Sequence, residues 1–331
     1  MDESDSIVNL AGNLTREVLL PAAMDVEASR AIPASHLDVL AASGFYGMAG
    51  PREYGGRGLD SAAACQVLEI MASGCLSTTF VVLQHHGAVR AVAGSANASL
   101  REGWLRPLCA GQRRAGLALA GAMPGPSTLR ARPTSGGYFF DGTSPWVTGW
   151  GHIDTLHAAA RDPAGNVVWG LLDVSAEAPL SVESRDMVAV MASRTVHASF
   201  HDYFVPAERI TGSVPLHEWQ VKDAAGLRSN GSLALGVAAR CCALIGPGPL
   251  DSELIRAREA LNTASAQAMP AARAAAAELA MRAAAALVVA SGSRSILASS
   301  QAQRLAREAL FLLVFGTRPA IKEHLSRMLR S

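Results

Sequence analysis

The chain has 331 residues, enough for two or three domains. Half of them are hydrophobic and 17% are charged, which excludes extended disorder. Lys and Arg number 29 against 28 Asp and Glu, and a formal charge of +1 excludes a protein held mainly by the nucleic-acid backbone. The five cysteines (Cys65, Cys75, Cys109, Cys241 and Cys242) are odd in number and form no C-x-x-C, so neither a disulfide framework nor a zinc knuckle is expected. The start, Met1-Asp-Glu-Ser-Asp5, lacks the basic region of a signal peptide. The longest uncharged stretch, Ile70 to Val89, carries Gly74, Ser77, Gln84, His85 and His86 and makes a poor membrane span. A cytoplasmic protein is expected.

In chain order, residues 1 to about 117 read as helical. Leu14 to Ala28 has apolar residues at helical spacing, interrupted by Pro21. Ser35 is placed to cap a helix through Ala42 that stops at Gly44. Gly50 to Gly58 is a loop, and Asp60 or Ser61 caps a helix through Ala72. Ser77–Ala93 and Ala98–Ala110 supply two more. From Gly116 to about Val214 the text changes to short β-branched and aromatic runs. The expected strands are Gly116–Ala122, Gly137–Asp141, Trp146–Thr148, Thr155–Arg161, Val167–Asp173 and Val196–Val205. Asp141-Gly142 and Ala164-Gly165 read as turn dipeptides. Strands without intervening helices predict an antiparallel barrel or sandwich. From about Lys222 the helical pattern returns. Ala271 to Ala290 holds 12 alanines in 20 positions, punctuated around it by Pro270, Gly292, Gly316 and Pro319. The expected fold class is α+β, with domains 1–117, 118–217 and 218–331.

Four segments carry a family resemblance. Gly44-Phe-Tyr-Gly-Met-Ala-Gly-Pro-Arg-Glu-Tyr-Gly-Gly-Arg-Gly-Leu-Asp60 resembles the "GxxGxxxPxxYGGxGLD" loop of acyl-CoA dehydrogenases. Gly137 to Thr148 resembles their "GYxLNGxKxWIT" strand pair, and Phe200 to Arg209 is similar to "FxxVxVPxxR". Arg307-Glu-Ala309 with Gly316-Thr317 looks like a worn "RDA…EGT". The resemblance covers nearly the whole of a short, divergent chain. It implies a helical N-terminal domain, a middle β-barrel and a C-terminal helix bundle around FAD. The implied reaction is α,β-dehydrogenation of an acyl-CoA thioester: a carboxylate takes the α-proton and the flavin takes the β-hydrogen as hydride. An electron-acceptor flavoprotein is the implied redox partner.

Residue by residue, the resemblance places Trp146 against the isoalloxazine and Thr148 near flavin N5. Their i, i+2 spacing on a strand predicts one shared face. Backbone atoms of Leu119, Ala120 and Ala122 are expected at the flavin pyrimidine edge, although the family's Thr and Glu are replaced there by Ala120 and Gly121. Thr317 keeps its place in the motif. Phe315 stands where the family's usual catalytic Glu stands, and the alternative helix offers Asn230 without a carboxylate. No catalytic residue is therefore assigned. The family's dinucleotide-binding Arg-x-x-Phe-Gly and Gln-x-x-Gly-Gly are missing as well.

Other constellations carry less. His197 and His201 fall in an expected strand, where four residues span about 13 Å, so one ion cannot bridge them and no metal site is expected. His85-His86 lies on a helix, where adjacent residues point about 100° apart, so at most one faces a cleft. Gly55-Gly56-Arg57-Gly58 has no preceding strand and is no dinucleotide fingerprint. The leading expectation is an FAD enzyme working as a heteromer in which a homologous subunit supplies the base or FAD contacts, or else as a homo-oligomer with weakened or altered activity. Flavin-dependent monooxygenases on the same scaffold need no α-proton base and are the alternative. A non-catalytic subunit that keeps only the fold is the third.

Overall fold

The computed structural model describes residues 3–174 and 179–330. The amino-terminal helices are α1 (Glu3–Leu14), α2 (Leu20–Ser29), α3 (Ala34–Ala42), α4 (Ser61–Gly74), α5 (Leu76–Ala93) and α6 (Ala98–Cys109). Between α1 and α2 the chain makes one π turn, Thr15–Leu19, without leaving the helical path. Pro21 is the cause: it has no N–H for the preceding turn and its ring crowds the carbonyl there, and a wider turn absorbs both defects. Asp60 caps α4 by accepting the Ala63 N–H at 2.8 Å. The helix expected from Ser35 begins one residue earlier, with Pro33 at the cap position.

The middle region is built from β1 (Ala115–Ala118), β2 (Leu129–Thr134), β3 (Gly137–Val147), β4 (Thr155–Arg161), β5 (Asn166–Asp173), β6 (Leu180–Ser184), β7 (Val196–Pro206) and β8 (Ile210–Pro215). They form one sheet in the order β6-β7-β3-β2-β4-β5-β8, with β1 joined to β4. The neighbours are antiparallel except that β1 runs parallel to β4 and β2 shares one parallel pair with β4. The β2–β3 hairpin lies between β1 and β4 in the chain, so β4 returns in the direction of β1.

The structure corrects the sequence expectation at Asp141-Gly142. These residues lie inside β3, which is a single strand where two short ones were expected. Both halves of β3 pair with β7, from Gly137↔Pro206 to Val147↔Val196. The dipeptide stays in the strand opposite a bulge on β7, where His201 and Asp202 face Asp141; Gly142 adopts φ +114° and a Cβ there would lie 2.1 Å from Thr128 O. The strand expected over Gly116–Ala122 ends at Ala118. Ala120–Ala122 then form a 3₁₀ turn, which Arg161 pins by donating to Gly121 O and Met123 O, each at 2.8 Å. The segments β2, β6 and β8 were not expected, because their short alternations are mixed with Pro, Ser and Glu.

The last region holds α7 (Leu216–Ile245), α8 (Pro249–Thr263), α9 (Met269–Ser291), α10 (Gln301–Val314) and α11 (Pro319–Met328). One apolar core joins these helices to α1–α5. The alanines set the spacing, and at Gly236 of α7 a Cβ would sit 2.4 Å from Glu69 O of α4. By length and hydropathy the α9 stretch could cross a membrane. In the fold its Ala274, Ala277, Ala280, Ala283 and Ala284 are fully buried, and α9 packs against α7, α8, α10 and α11.

Candidate functional site

A cavity of about 710 Å³ lies where helices meet sheet. Ala64 and Leu68 of α4, Leu83, His86 and Arg90 of α5, and Trp219, Asp223 and Asn230 of α7 form its helical walls. Leu117 of β1, Leu119 and the β-residues His157, Trp169 and Thr211 line the opposite side, and Phe315, Gly316 and Arg318 line it from the α10–α11 junction. Each helix contributes residues three or four apart, which is one helical face.

The two adjacent histidines have opposite fates. His85 Nδ1 accepts the Ala115 N–H at 3.0 Å, so its Nε2–H donates to Leu108 O at 3.1 Å. It is a fully satisfied tie between α5, α6 and β1, and burial pushes it down to about 4, a neutral ring. His86 is equally buried, lines the cavity, and has no partner on either ring nitrogen. Burial, aided by the neighbouring His85 and Arg90, holds His86 far below the usual range.

Across the cavity, His157 Nε2 lies 2.9 Å from Thr211 Oγ1, and Thr211 in turn donates to Trp169 O at 3.4 Å. His157 therefore carries its proton on Nε2, and its unpartnered Nδ1 is an acceptor. Burial pushes this ring down to about 3. It stacks on Trp169 at 4.6 Å, whose Nε1–H is also buried without a partner.

At Phe315 the cavity meets an aromatic cluster. Phe315 stacks on Phe311 at 5.3 Å and meets Phe80 of α5 edge-on at 4.8 Å. The end of α10 is clamped from behind by the buried Arg273, which donates to Leu312 O and Phe315 O at 3.0 and 3.2 Å. Gly316 turns the chain at φ +62°, and a Cβ there would meet Asn230 Nδ2 at 2.7 Å. Of the carboxylates lining the cavity, Asp60 is engaged as the α4 cap and Asp223 in a two-point ion pair with Arg318 at 2.6 and 3.0 Å. Glu308 lies away from it, fully buried against Arg304 at 2.6 Å, and burial outweighs that cation to push its carboxyl up to about 7.

The residues singled out from the sequence divide into groups. Leu119 and Phe315 line the cavity. Ala120 and Ala122 are buried in the 3₁₀ turn. Thr317 folds its hydroxyl back onto Val314 O at 2.7 Å. Trp146 and Thr148 do not share a face. A register shift between Ser144 and Val147, with Trp146 at φ +62°, breaks the strand alternation. Trp146 is 66% exposed, while Thr148 is buried and shares a 3.3 Å hydrogen bond with Thr195. His201 of β7 lies 3.1 Å from Ser181 Oγ. His86, Arg90, His157 and Trp169 were not recognised as one group. Only the i, i+4 spacing of His86 and Arg90 was visible, because the barrel residues reach the cavity through sheet pairing.

An indole left bare on a strained backbone suits a flat ring laid against it. Trp146 presents such a face, with its indole 66% exposed at φ +62°.

This is an α+β scaffold with a substrate-sized cleft between helices and sheet. A family model for the acyl-CoA dehydrogenase N-terminal domain matches residues 1–112. The benzylmalonyl-CoA dehydrogenase of Aromatoleum aromaticum is 27% identical over 249 residues, covering 72% of this chain and 65% of that protein. The human mitochondrial short-chain specific acyl-CoA dehydrogenase is 23% identical over 203 residues, 59% of this chain and 49% of that protein. The fold is that of Megasphaera elsdenii butyryl-CoA dehydrogenase, with a TM-score of 0.85 at 18% identity over 100% and 99% of the two chains. Over these residues the chain is similar to acyl-CoA dehydrogenases, and its fold is theirs. By sequence it spans about half to two-thirds of these curated relatives.

Proposed function

We propose that the chain binds FAD and serves as a subunit of an acyl-CoA dehydrogenase, with residues 1–117, 118–217 and 218–331 as its domains. A homologous partner subunit supplies the base, and a second flavoprotein accepts the electrons. The substrate is an acyl-CoA thioester and the setting is the cytoplasm. One observation carries this reading: the cleft is intact, but Phe315 stands at the base position and the two carboxylates on the lining are both engaged.

The residues divide the work accordingly. Leu68, Leu83, Leu117 and Leu119 give the cleft apolar walls that exclude water, which strengthens every polar contact inside. Trp146 would hold the isoalloxazine, while Thr148, the other expected contact, lies buried against Thr195. When bound, FAD supplies the hydride acceptor. A thioester α-proton is weakly acidic and needs a carboxylate within hydrogen-bond reach. The Phe315 ring takes no proton, so in this reading that carboxylate comes from the partner.

The test is anaerobic dye reduction by acyl-CoA, using the purified chain alone and then with its homologous partner. The expected result is negligible turnover alone and recovery in the mixture. Phe315→Glu should give activity to the single chain only if this chain binds the flavin. Turnover by the lone wild-type chain at rates ordinary for enzymes, about 1–1,000 per second, refutes the reading. The same absence of a free carboxylate favours one other reading, a flavin-dependent monooxygenase. Its mark is oxygen consumption with reduced flavin and a substrate that carries no CoA.

A further inference from the structure

The geometry points to an oxyanion subsite inside the cleft, formed by Arg90 of α5 with Lys222 of α7, that selects a thioester bringing an anionic oxygen group to it. The inference rests on the cleft being a thioester site and adds what the thioester must carry. Five charged side chains line the cavity: Asp60, Arg90, Lys222, Asp223 and Arg318. Asp60 Oδ1 takes the Ala63 N–H, and Asp223 and Arg318 neutralise each other through two hydrogen bonds. Arg90 and Lys222 have no hydrogen-bond or ion-pair partner among the described residues. The lining therefore presents two cations without an ion-pair partner, Arg90 and Lys222 on different walls, against one such carboxylate, Asp60, which is held by its helix-cap hydrogen bond.

Position strengthens the case. Arg90 stands one helical turn after His86, so the two side chains share one face of α5, and both line the cavity. His86 is 1% exposed and both of its ring nitrogens lack partners. A neutral imidazole has one N–H to donate, and beside a guanidinium it adds a second donor for the same oxygens. Burial lowers Arg90 from the ordinary guanidinium value with no carboxylate opposing the shift. Arg90 is nonetheless exposed, and unlike Arg282, which pairs with Glu278, it has no carboxylate one turn away: His86 and Gly94 stand there.

Two parts of a thioester carry such oxygens: a second acidic group on the acyl chain, and the phosphates of the CoA carrier. Calorimetric titration separates them with three ligands: butyryl-CoA, succinyl-CoA and butyryl-pantetheine. If the acyl group is read, wild type prefers succinyl-CoA to butyryl-CoA by about 10- to 100-fold, and Arg90→Gln abolishes that preference. If the phosphates are read, the preference is for butyryl-CoA over butyryl-pantetheine, and it collapses in the same variant. Ratios that Arg90→Gln leaves unmoved, or no thioester binding by wild type, overturn the subsite. Should Arg90→Gln lose its fold by circular dichroism, Lys222→Gln at its exposed position gives the same comparison, and unmoved ratios there overturn it equally. FAD is followed separately by its absorbance. Arg90-dependent binding without flavin defeats only the redox reading. Flavin binding with unmoved ratios defeats only the subsite.

Discussion

The α5 wall of the cleft and the α10 end behind it both carry buried polar groups, His85 and His86 on the first and Arg304 and Glu308 on the second, yet they use them differently. On α10, polar groups are turned inward: Arg304 meets Glu308, Arg307 reaches Glu27 at 2.7 Å, and Arg273 clamps the helix end. On α5, His85 is fully engaged, while His86 and Arg90 are left toward the cavity. Buried atoms without partners occur on both sides, among them Arg304 Nε and Glu308 Oε2 on α10 and both ring nitrogens of His86 on α5. What separates the two is place: the α10 groups sit in an internal ion pair away from the cavity, whereas His86 lines it.

The sharpest way to break this contrast is at the buried pair. Glu308→Leu strands the Arg304 guanidinium in the core and should cost about 3–5 kcal/mol in urea unfolding. A cost below about 1 kcal/mol would show that α10 does not depend on its internal ions. His85→Ala strands the Ala115 N–H and the Leu108 carbonyl, for about 2–4 kcal/mol.

The pair also sets a pH dependence. Glu308 is raised to about 7 from an ordinary 4.5. Between those values the folded state keeps a proton that the unfolded state has released. Stability is therefore highest below about pH 4.5 as far as this group goes, and falls as pH rises to about 7. Glu308→Gln, which cannot titrate, should flatten that limb of the unfolding profile. A limb that survives in Glu308→Gln belongs to another group.

Smaller effects sharpen the α5 side. His86→Leu removes two unpaired nitrogens and should change stability by less than about 1 kcal/mol, several-fold less than the His85 variant. Equal losses for the two histidines would erase the distinction between them. Trp146→Ala should move stability by about 0.5 kcal/mol or less, because the indole is exposed. Its FAD affinity, titrated with the partner present if one is needed, should fall markedly. An unchanged affinity and flavin spectrum would remove Trp146 from the cofactor site.

Much of the architecture was legible in the residues themselves. The helical regions on either side of a β region, the Asp60 cap and the loop before it follow from local periodicity and capping chemistry, which act within a turn or two of the chain. The replacement of the usual base by Phe315 is likewise a matter of identity at one position. Tertiary pairing decided the rest. Asp141-Gly142 reads as a turn and stays in the strand because β7 offers partners on both sides of it and takes up the irregularity in its own bulge. Trp146 and Thr148 lose their shared face to the second irregularity of the same pairing. The grouping of His86 and Arg90 with His157, Trp169 and Lys222 around one cavity joins residues from 67 to 136 positions apart along the chain. No local rule encodes such distances. Backbone propensity is a property of neighbours in sequence, whereas a cleft is made by whichever helices and strands the core brings together.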